Sequence, residues 1–137
     1  MSENASVGFT KDSGYHLSVQ RTVNHPVSEV WKILISKRGM IVWLGTWKFD
    51  KWETGIEFIT QEGTRGKIRV FKIFSHIRLT WRRKNWENDS ILQIRTISVS
   101  GKTTISFHQE KLLSAQQREE MKLYWTQILE KLIEVLN

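Results

Sequence analysis

The C-terminal stretch, Ser114–Asn137, constrains the fold most, because its apolar residues recur at alternating steps of three and four. That spacing places them along one stripe of an α-helix. Ser114 is positioned to cap the first turn, and Gln117 can reach back to form a capping box. A helix that is long and apolar on one side needs a broad apolar surface to pack against. The rest of the chain supplies that surface as strands.

Composition excludes several classes of protein. The 137 residues are enough for one domain with a real core. There is no cysteine, which excludes disulfides, thiolate metal sites and a cysteine nucleophile. No apolar run reaches the length of a membrane span, and the first residues lack a signal-peptide pattern, so we expect a cytoplasmic protein. The seven tryptophans favour either a bulky core or the lining of a groove or cavity.

The polar start, residues 1–14, predicts a flexible tail, and residues 15–137 predict a single domain. Alternation predicts a first strand over Tyr15–Val23, with a possible bulge at Arg21. Pro26 then opens one short helix. Gly39–Gly45 predicts a second.

Antiparallel strands fill the centre of the chain. One begins at Ile56, and another begins at Arg65 with Ile68 and Val70 on one face and a bulge near Val70. In a third strand, alternation places Leu79, Trp81 and Arg83 together on the inner face. The order of elements predicts an α+β fold, with an antiparallel sheet lying against the long helix.

A β-hairpin turning at Ser100–Gly101 closes this sheet. It joins strands over Ile91–Val99 and Lys102–Glu110. Pairing outward from the turn sets Ile94 opposite Phe107, with the apolar residues of both strands on one face.

These residues resemble the START-like, or SRPBCC, superfamily with its helix-grip (Bet v-like) fold. Within it the chain is similar to proteins like the C-terminal domain of the activator of heat shock protein 90 ATPase. The segments that carry the resemblance occur in the family's order: Pro26–Trp31, Gly39–Trp43, Gly66 with Val70, Leu79–Trp81, Thr103–Gln109, and Trp125 with Leu129 and Leu132. Gln109 departs from the pattern, since relatives often carry histidine there, and so does Phe74–His76, where relatives usually have proline.

The resemblance implies a curved sheet that grips the long helix and encloses a cavity for a small apolar or amphipathic molecule. Side chains at the inward-facing positions of the strands and helices are expected to line this cavity, and pockets of this kind are largely apolar. Arg83, near the end of its strand, is placed to meet an acidic group at the mouth. The alternative is that tryptophan side chains fill the space. The expected lining comprises Leu34, Met40, Trp43, Phe58, Val70, Trp81, Arg83, Ile94, Ile105, Phe107, Met121, Trp125, Ile128 and Leu132.

The chain has a net charge of +7, and seven of its basic residues fall at outward-facing positions of strands that should be neighbours. Such a face suits an acidic protein, and the resemblance suggests a chaperone. The same charges also fit a face that only keeps the protein soluble. Without a clear exposed aromatic, nucleic acid is an unlikely partner. Sequence alone does not decide between a monomer and a homodimer. The basic face comprises Arg65, Lys67, Arg69, Arg78, Arg82, Lys84 and Arg95.

Catalysis is the third alternative, because some START-like relatives are cyclases or hydrolases. The four histidines are scattered without metal-ligand spacing, and the inner face carries no pair of carboxylates. The segment Ser100–Thr103 resembles the end of a phosphate-binding loop, but Thr96 stands where that loop needs glycine. We therefore expect no catalytic residues, no metal and no cofactor.

Overall fold

The computed structural model describes residues 9–10, 14–48 and 51–137. Its elements follow the predicted order of strand, two short helices, antiparallel strands and one long helix. They are β1 (Phe9–Thr10), β2 (Gly14–Val23), α1 (Val27–Ile35), α2 (Lys37–Trp43), β3 (Glu57–Ile59), β4 (Arg65–Lys72), β5 (His76–Trp81), β6 (Ser90–Val99), β7 (Lys102–Leu112) and α3 (Ala115–Leu136).

The strands form one curved antiparallel sheet in the order β1-β2-β7-β6-β5-β4-β3, which confirms the predicted fold class. The hairpin register is also confirmed, with Ile94 opposite Phe107 and Thr96 opposite Ile105. Alternation in β6 and β7 turns one set of side chains inward, and the inner residues of both strands are buried. The short β1 was not predicted, and most of the predicted flexible tail lies outside the described residues.

The long helix α3 packs across the inner face of the sheet, chiefly against β2, and against α2. Ser114 caps it as predicted, with its hydroxyl accepting a hydrogen bond from the Gln117 amide at 3.1 Å. The reciprocal half of the predicted box differs, because the Gln117 side chain accepts from the amide of Leu113 at 2.7 Å. Across the described residues, no helix is long and apolar enough to span a membrane.

The bulge predicted at Arg21 is wrong. The register of β2 shifts between Tyr15 and Leu17 instead, so alternation continues regularly as far as Val23. Arg21 therefore keeps inner parity, and its guanidinium reaches Glu130 on α3 at 3.2 Å. An arginine on the inner face is accommodated here because its side chain is still 51% exposed to solvent.

The bulge predicted in β4 is confirmed, but its position corrects the orientation of Val70. The register shifts between Ile68 and Val70, which leaves Arg69 as the extra residue. Ile68 faces inward, whereas Val70 pairs with Arg78 and is 36% exposed. Phe71 takes the inner position in its place and packs against the core.

The second short helix begins two residues before the predicted start. Ser36 ends α1 and caps α2, accepting a hydrogen bond from the Gly39 amide at 3.1 Å. Gly39 is required for the close approach of the two helices, since a Cβ there would lie 1.9 Å from the Ile33 carbonyl oxygen. Between Thr46 and Gly55, the part of the segment that the structure describes contains no strand.

Candidate functional site

All the side chains predicted to line a cavity, except Val70 and Arg83, lie in one apolar cluster between the sheet and the helices. Apart from Val70 and Arg83, each of them is at most 5% exposed. The sequence therefore identified the inner face correctly at every predicted position except Val70, which the bulge turns outward.

Trp125 lies at the centre of this cluster. Its ring stacks on Phe107, with centroids 5.1 Å apart, and meets the edge of Trp81 at 5.5 Å. Its indole N–H donates to Gln109 Oε1 at 2.7 Å, and Gln109 Nε2 donates to Ser90 Oγ at 2.9 Å. Ser90 in turn donates to the Trp81 carbonyl oxygen at 2.6 Å. Protein side chains therefore occupy this part of the interior, and the polar groups of Trp125, Gln109 and Ser90 are hydrogen-bonded within the protein.

Arg83 lies at the edge of the interior, as its parity predicted. Its guanidinium stands 4.6 Å above the centre of the Tyr124 ring, and Nη1 lies 3.8 Å from Met121 Sδ. Burial raises the pKa of the Tyr124 hydroxyl, and the charge of Arg83 opposes that shift. Arg83 also lines a small pocket of about 220 Å³ together with Lys84. In this structure the guanidinium rests on aromatic and thioether surface.

A much larger open groove of about 1000 Å³ lies along β3, β4 and β5 and shares Ile59, Arg65 and Arg82 with the small pocket. Of the predicted cavity residues, only Phe58 reaches it. Five of its lining side chains are cationic and two are acidic, Glu57 and Asp89. The cationic ones are Lys48, Arg65, Lys67, Arg69 and Arg82.

The backbone of the groove brings two of these cations directly opposite each other. Arg65 N donates to Arg82 O at 3.0 Å, and Arg82 N donates to Arg65 O at 2.8 Å. Gly66 permits this approach, since a Cβ there would lie 1.8 Å from the Thr80 carbonyl oxygen. Like charges opposite each other on neighbouring strands are destabilising. Asp89 neutralises Arg82 only weakly, because its Oδ1 lies 3.8 Å from Arg82 Nη1. Arg65 and Arg82 together are therefore suited to bind an anion.

The remaining cations of the groove form no ion pair with a described residue. Within the described parts of the chain, no carboxylate lies within 4.0 Å of the side-chain nitrogens of Lys48, Arg65, Lys67 or Arg69. All four are exposed. Their charges therefore add to a positive potential over one concave surface.

Trp47 and Lys48 complete the groove, although sequence analysis did not assign them to it. The Trp47 ring tilts against Phe58, with centroids 5.4 Å apart. The segment is held by Glu62, whose carboxylate accepts from the Thr46 amide at 2.8 Å. That hydrogen bond lowers the pKa of Glu62. Trp47 and Phe58 thus place aromatic rings beside the basic residues of the groove, where the sequence analysis expected no clear aromatic.

The other predicted basic-face residues lie outside this groove. Arg78 is neutralised by Glu110 and also donates to Gln93. Arg95 pairs across the sheet with His76. Burial, and then the charge of Arg95, lower the pKa of His76. The basic face is thus divided between the groove and a sheet surface, on which Glu110 neutralises Arg78 and Arg95 lies opposite His76.

A histidine lies close to a serine and a glutamate on the outer face of the sheet. Ser18 Oγ lies 2.7 Å from His108 Nδ1, and Glu110 Oε2 lies 3.6 Å from His108 Nε2. Glu110 already pairs with Arg78, and neither described pocket contains these residues. No group of three possible metal ligands occurs among the described residues. This geometry gives no support to an active site.

A family model described as Activator of Hsp90 ATPase homolog 1-like protein matches residues 24–137. The chain belongs to this family. No protein with a curated description matches it. Membership confirms the resemblance drawn from the sequence and is consistent with ligand-binding or co-chaperone-like domains in general.

Solved structures show the same fold. The chain is similar to CalU16 from Micromonospora echinospora, with 20% identity, a TM-score of 0.79, and coverage of 89% of this chain and 74% of that one. It is also similar to an HSP90 activator from Plasmodium falciparum, with 16% identity, a TM-score of 0.75, and coverage of 88% and 95%. At these identities the Activator of Hsp90 ATPase homolog 1-like fold is shared, and the function of each relative remains its own.

Proposed function

We propose that this protein is a non-enzymatic interaction domain that binds an acidic segment of a partner protein in the basic groove. The observation that carries the proposal is a group of four exposed cations around one concave surface, none of which has a described carboxylate within 4.0 Å of its side-chain nitrogens. An acidic segment would supply the counter-charges that the described chain does not.

The family suggests which partner to test first. Its description names the Hsp90 ATPase, and the Plasmodium relative is described as an HSP90 activator, so a chaperone of that kind is the first candidate. Binding driven by exposed charges is screened by salt and accelerated by long-range attraction. We therefore expect affinity to fall as ionic strength rises, mainly through slower association.

Charge reversal in the groove tests the proposal. The variant combines Lys67→Glu with Arg69→Glu, and the matched control combines Lys122→Glu with Lys131→Glu on the exposed side of α3. Both change the net charge equally. The probe is a fluorescein-labelled octapeptide of alternating glutamate and valine, followed by anisotropy. We expect the groove variant to bind at least about tenfold more weakly, whereas the control keeps most of the affinity. Equal losses in both variants would show that net charge alone drives binding.

The interior remains a second candidate site, for a small amphipathic ligand between the sheet and α3. The observation that favours it is the indole N–H of Trp81, which is buried without a hydrogen-bond partner among the described residues. A ligand with one acceptor group could satisfy that donor. Native mass spectrometry of gently purified protein tests this: an added mass that disappears on denaturation supports it. A bare protein mass, unchanged after exposure to a lipid extract, contradicts it.

A further inference from the structure

β3 is the last strand of the sheet, and its register shows which backbone groups face outward from the edge. Thr60 N donates to Thr64 O at 2.8 Å, and Ile68 N donates to Ile56 O at 2.9 Å. In an antiparallel pair, alternate residues direct their N–H and C=O groups to the same neighbour. Residues 56, 58 and 60 therefore face β4, and Glu57 and Ile59 direct their backbone groups toward the free edge.

Within the part of the chain that the structure describes, no strand pairs with this edge, whereas natural sheets usually protect their edges. Glu57 and Ile59 both line the groove, and Ile59 is 64% exposed. Among the described residues, no backbone hydrogen bond links either of them to a neighbour on the free side. Thr46 closes the edge only beyond them, where its carbonyl oxygen accepts from Gln61 N at 2.8 Å.

The side chains at the edge belong to the cationic surface. Phe58 is buried in the interior, so by alternation Glu57 and Ile59 point to the outer face. There they lie beside Lys67 and Arg65, their partners on β4. A strand added to this edge would direct every second side chain onto the outer face, about 10 Å from β4, which is within reach of long cationic side chains.

We propose that the acidic segment binds as an added β-strand on β3, pairing its backbone with Glu57 and Ile59 while its acidic side chains meet the groove cations. This inference rests on the proposed function and specifies how the partner is recognised. Backbone hydrogen bonds supply affinity in such strand addition, and alternate side chains supply specificity. The partner is therefore an extended segment in which acidic residues alternate with small or apolar ones.

A second copy of this chain fits the edge poorly. Pairing β3 with β3 would bring two identical sets of groove cations onto one continuous surface, where their positive potentials would oppose association. Charge complementarity thus favours an acidic partner of different sequence. Light scattering during chromatography tests this point. A dimer that Ile59→Pro converts to a monomer would show that the edge serves self-association, and would overturn the proposal.

Proline at position 59 separates backbone pairing from charge attraction. Proline lacks the N–H that would bond the added strand, and it is tolerated on edge strands. Because that N–H faces away from β4, the β3–β4 ladder keeps its bonds. Ile59→Ala is the matched control, since it loses the side chain but keeps the N–H. With the glutamate–valine octapeptide, we expect Ile59→Pro to bind at least about tenfold more weakly than Ile59→Ala.

Modified peptides make the same test on the unaltered protein, so a misfolded variant cannot obscure the result. The octapeptide is N-methylated on every second residue, in either of the two possible sets. Strand addition predicts that one set abolishes binding and the other leaves it within about threefold, since only alternate amides face β3. Equal binding by both methylated peptides would overturn strand addition. The proposed function would survive that result if charge reversal of Lys67 and Arg69 still weakened binding at least about tenfold. The proposed function itself would fail if the charge reversal had no effect, or if the unmodified peptide did not bind.

Discussion

Replacing Gln109 by leucine tests the packing of the interior most sharply. Gln109 is fully buried and links Trp125 to Ser90 through two hydrogen bonds. Leucine has nearly the same volume, so little cavity is created. The indole N–H of Trp125 is then left buried without an acceptor, which costs about 1–3 kcal/mol. Loss of the second bond adds about 1 kcal/mol, and the extra apolar surface offsets a similar amount.

The net expectation is a loss of about 2 kcal/mol in the free energy of unfolding. For a domain of this size, that corresponds to a fall of roughly 7 °C in the melting temperature. Urea denaturation followed by circular dichroism measures the free energy, and thermal unfolding measures the shift.

A double-mutant cycle with Trp125→Phe isolates the hydrogen bond. Trp125→Phe alone leaves the Gln109 carbonyl oxygen unpaired, whereas the double variant Gln109→Leu with Trp125→Phe removes donor and acceptor together. Losing both partners costs less than losing them separately, so we expect a coupling energy of about 1–2 kcal/mol. Additive effects, or a Gln109→Leu variant within about 0.5 kcal/mol of the wild type, would refute the assignment of this bond.

Two further perturbations probe other parts of the fold. Gly66→Ala places a Cβ 1.8 Å from the Thr80 carbonyl oxygen, and we expect it to separate β4 from β5 and cost about 3 kcal/mol or more, measured by urea denaturation. His25 donates or accepts hydrogen bonds with Asn137 and Glu29, which raise its pKa above the ordinary value near 6.5. Its stabilising effect is therefore complete below that value and is lost as the pH rises through the folded-state pKa. The stability difference between wild type and His25→Gln should shrink from pH 6 to pH 8, and a constant difference would contradict this linkage.

The hairpin and the long helix could be predicted because several local signals agree there. Turn chemistry at Ser100–Gly101 and alternation on both sides fix the register of β6 and β7. Likewise, the cap at Ser114 and the apolar stripe together define α3. Where two independent signals point to the same answer, the folded chain follows them.

Val70 shows where that agreement ends. Val70 and Phe71 are adjacent and both apolar, so alternation locates a bulge in β4 but does not say which of the two it turns inward. Packing decides, because Phe71 reaches Trp31 at a centroid distance of 5.6 Å and fills the inner position. Tertiary contacts of this kind lie outside any local pattern.

The groove was only half predictable for the same reason. Outward parity identified Arg65, Lys67 and Arg69, because strand alternation is a local property. Lys48 and Trp47 come from an irregular segment that carries no periodic signal. Their position depends on hydrogen bonds of Thr46 to Gln61 and Glu62, which are formed only in the folded chain.

Amide chemical-shift mapping by NMR tests most directly the central claim that the basic groove, and not the interior, is the binding site. The acidic octapeptide is titrated into isotope-labelled protein, and backbone amides and tryptophan indole N–H signals are followed together. Binding in the groove predicts shifts at Lys48, Ile59 and Lys67, while the indole signal of Trp125 stays in place because its bond to Gln109 is undisturbed. Shifts confined to the Trp125 and Trp81 indoles, with an unchanged groove, would contradict it.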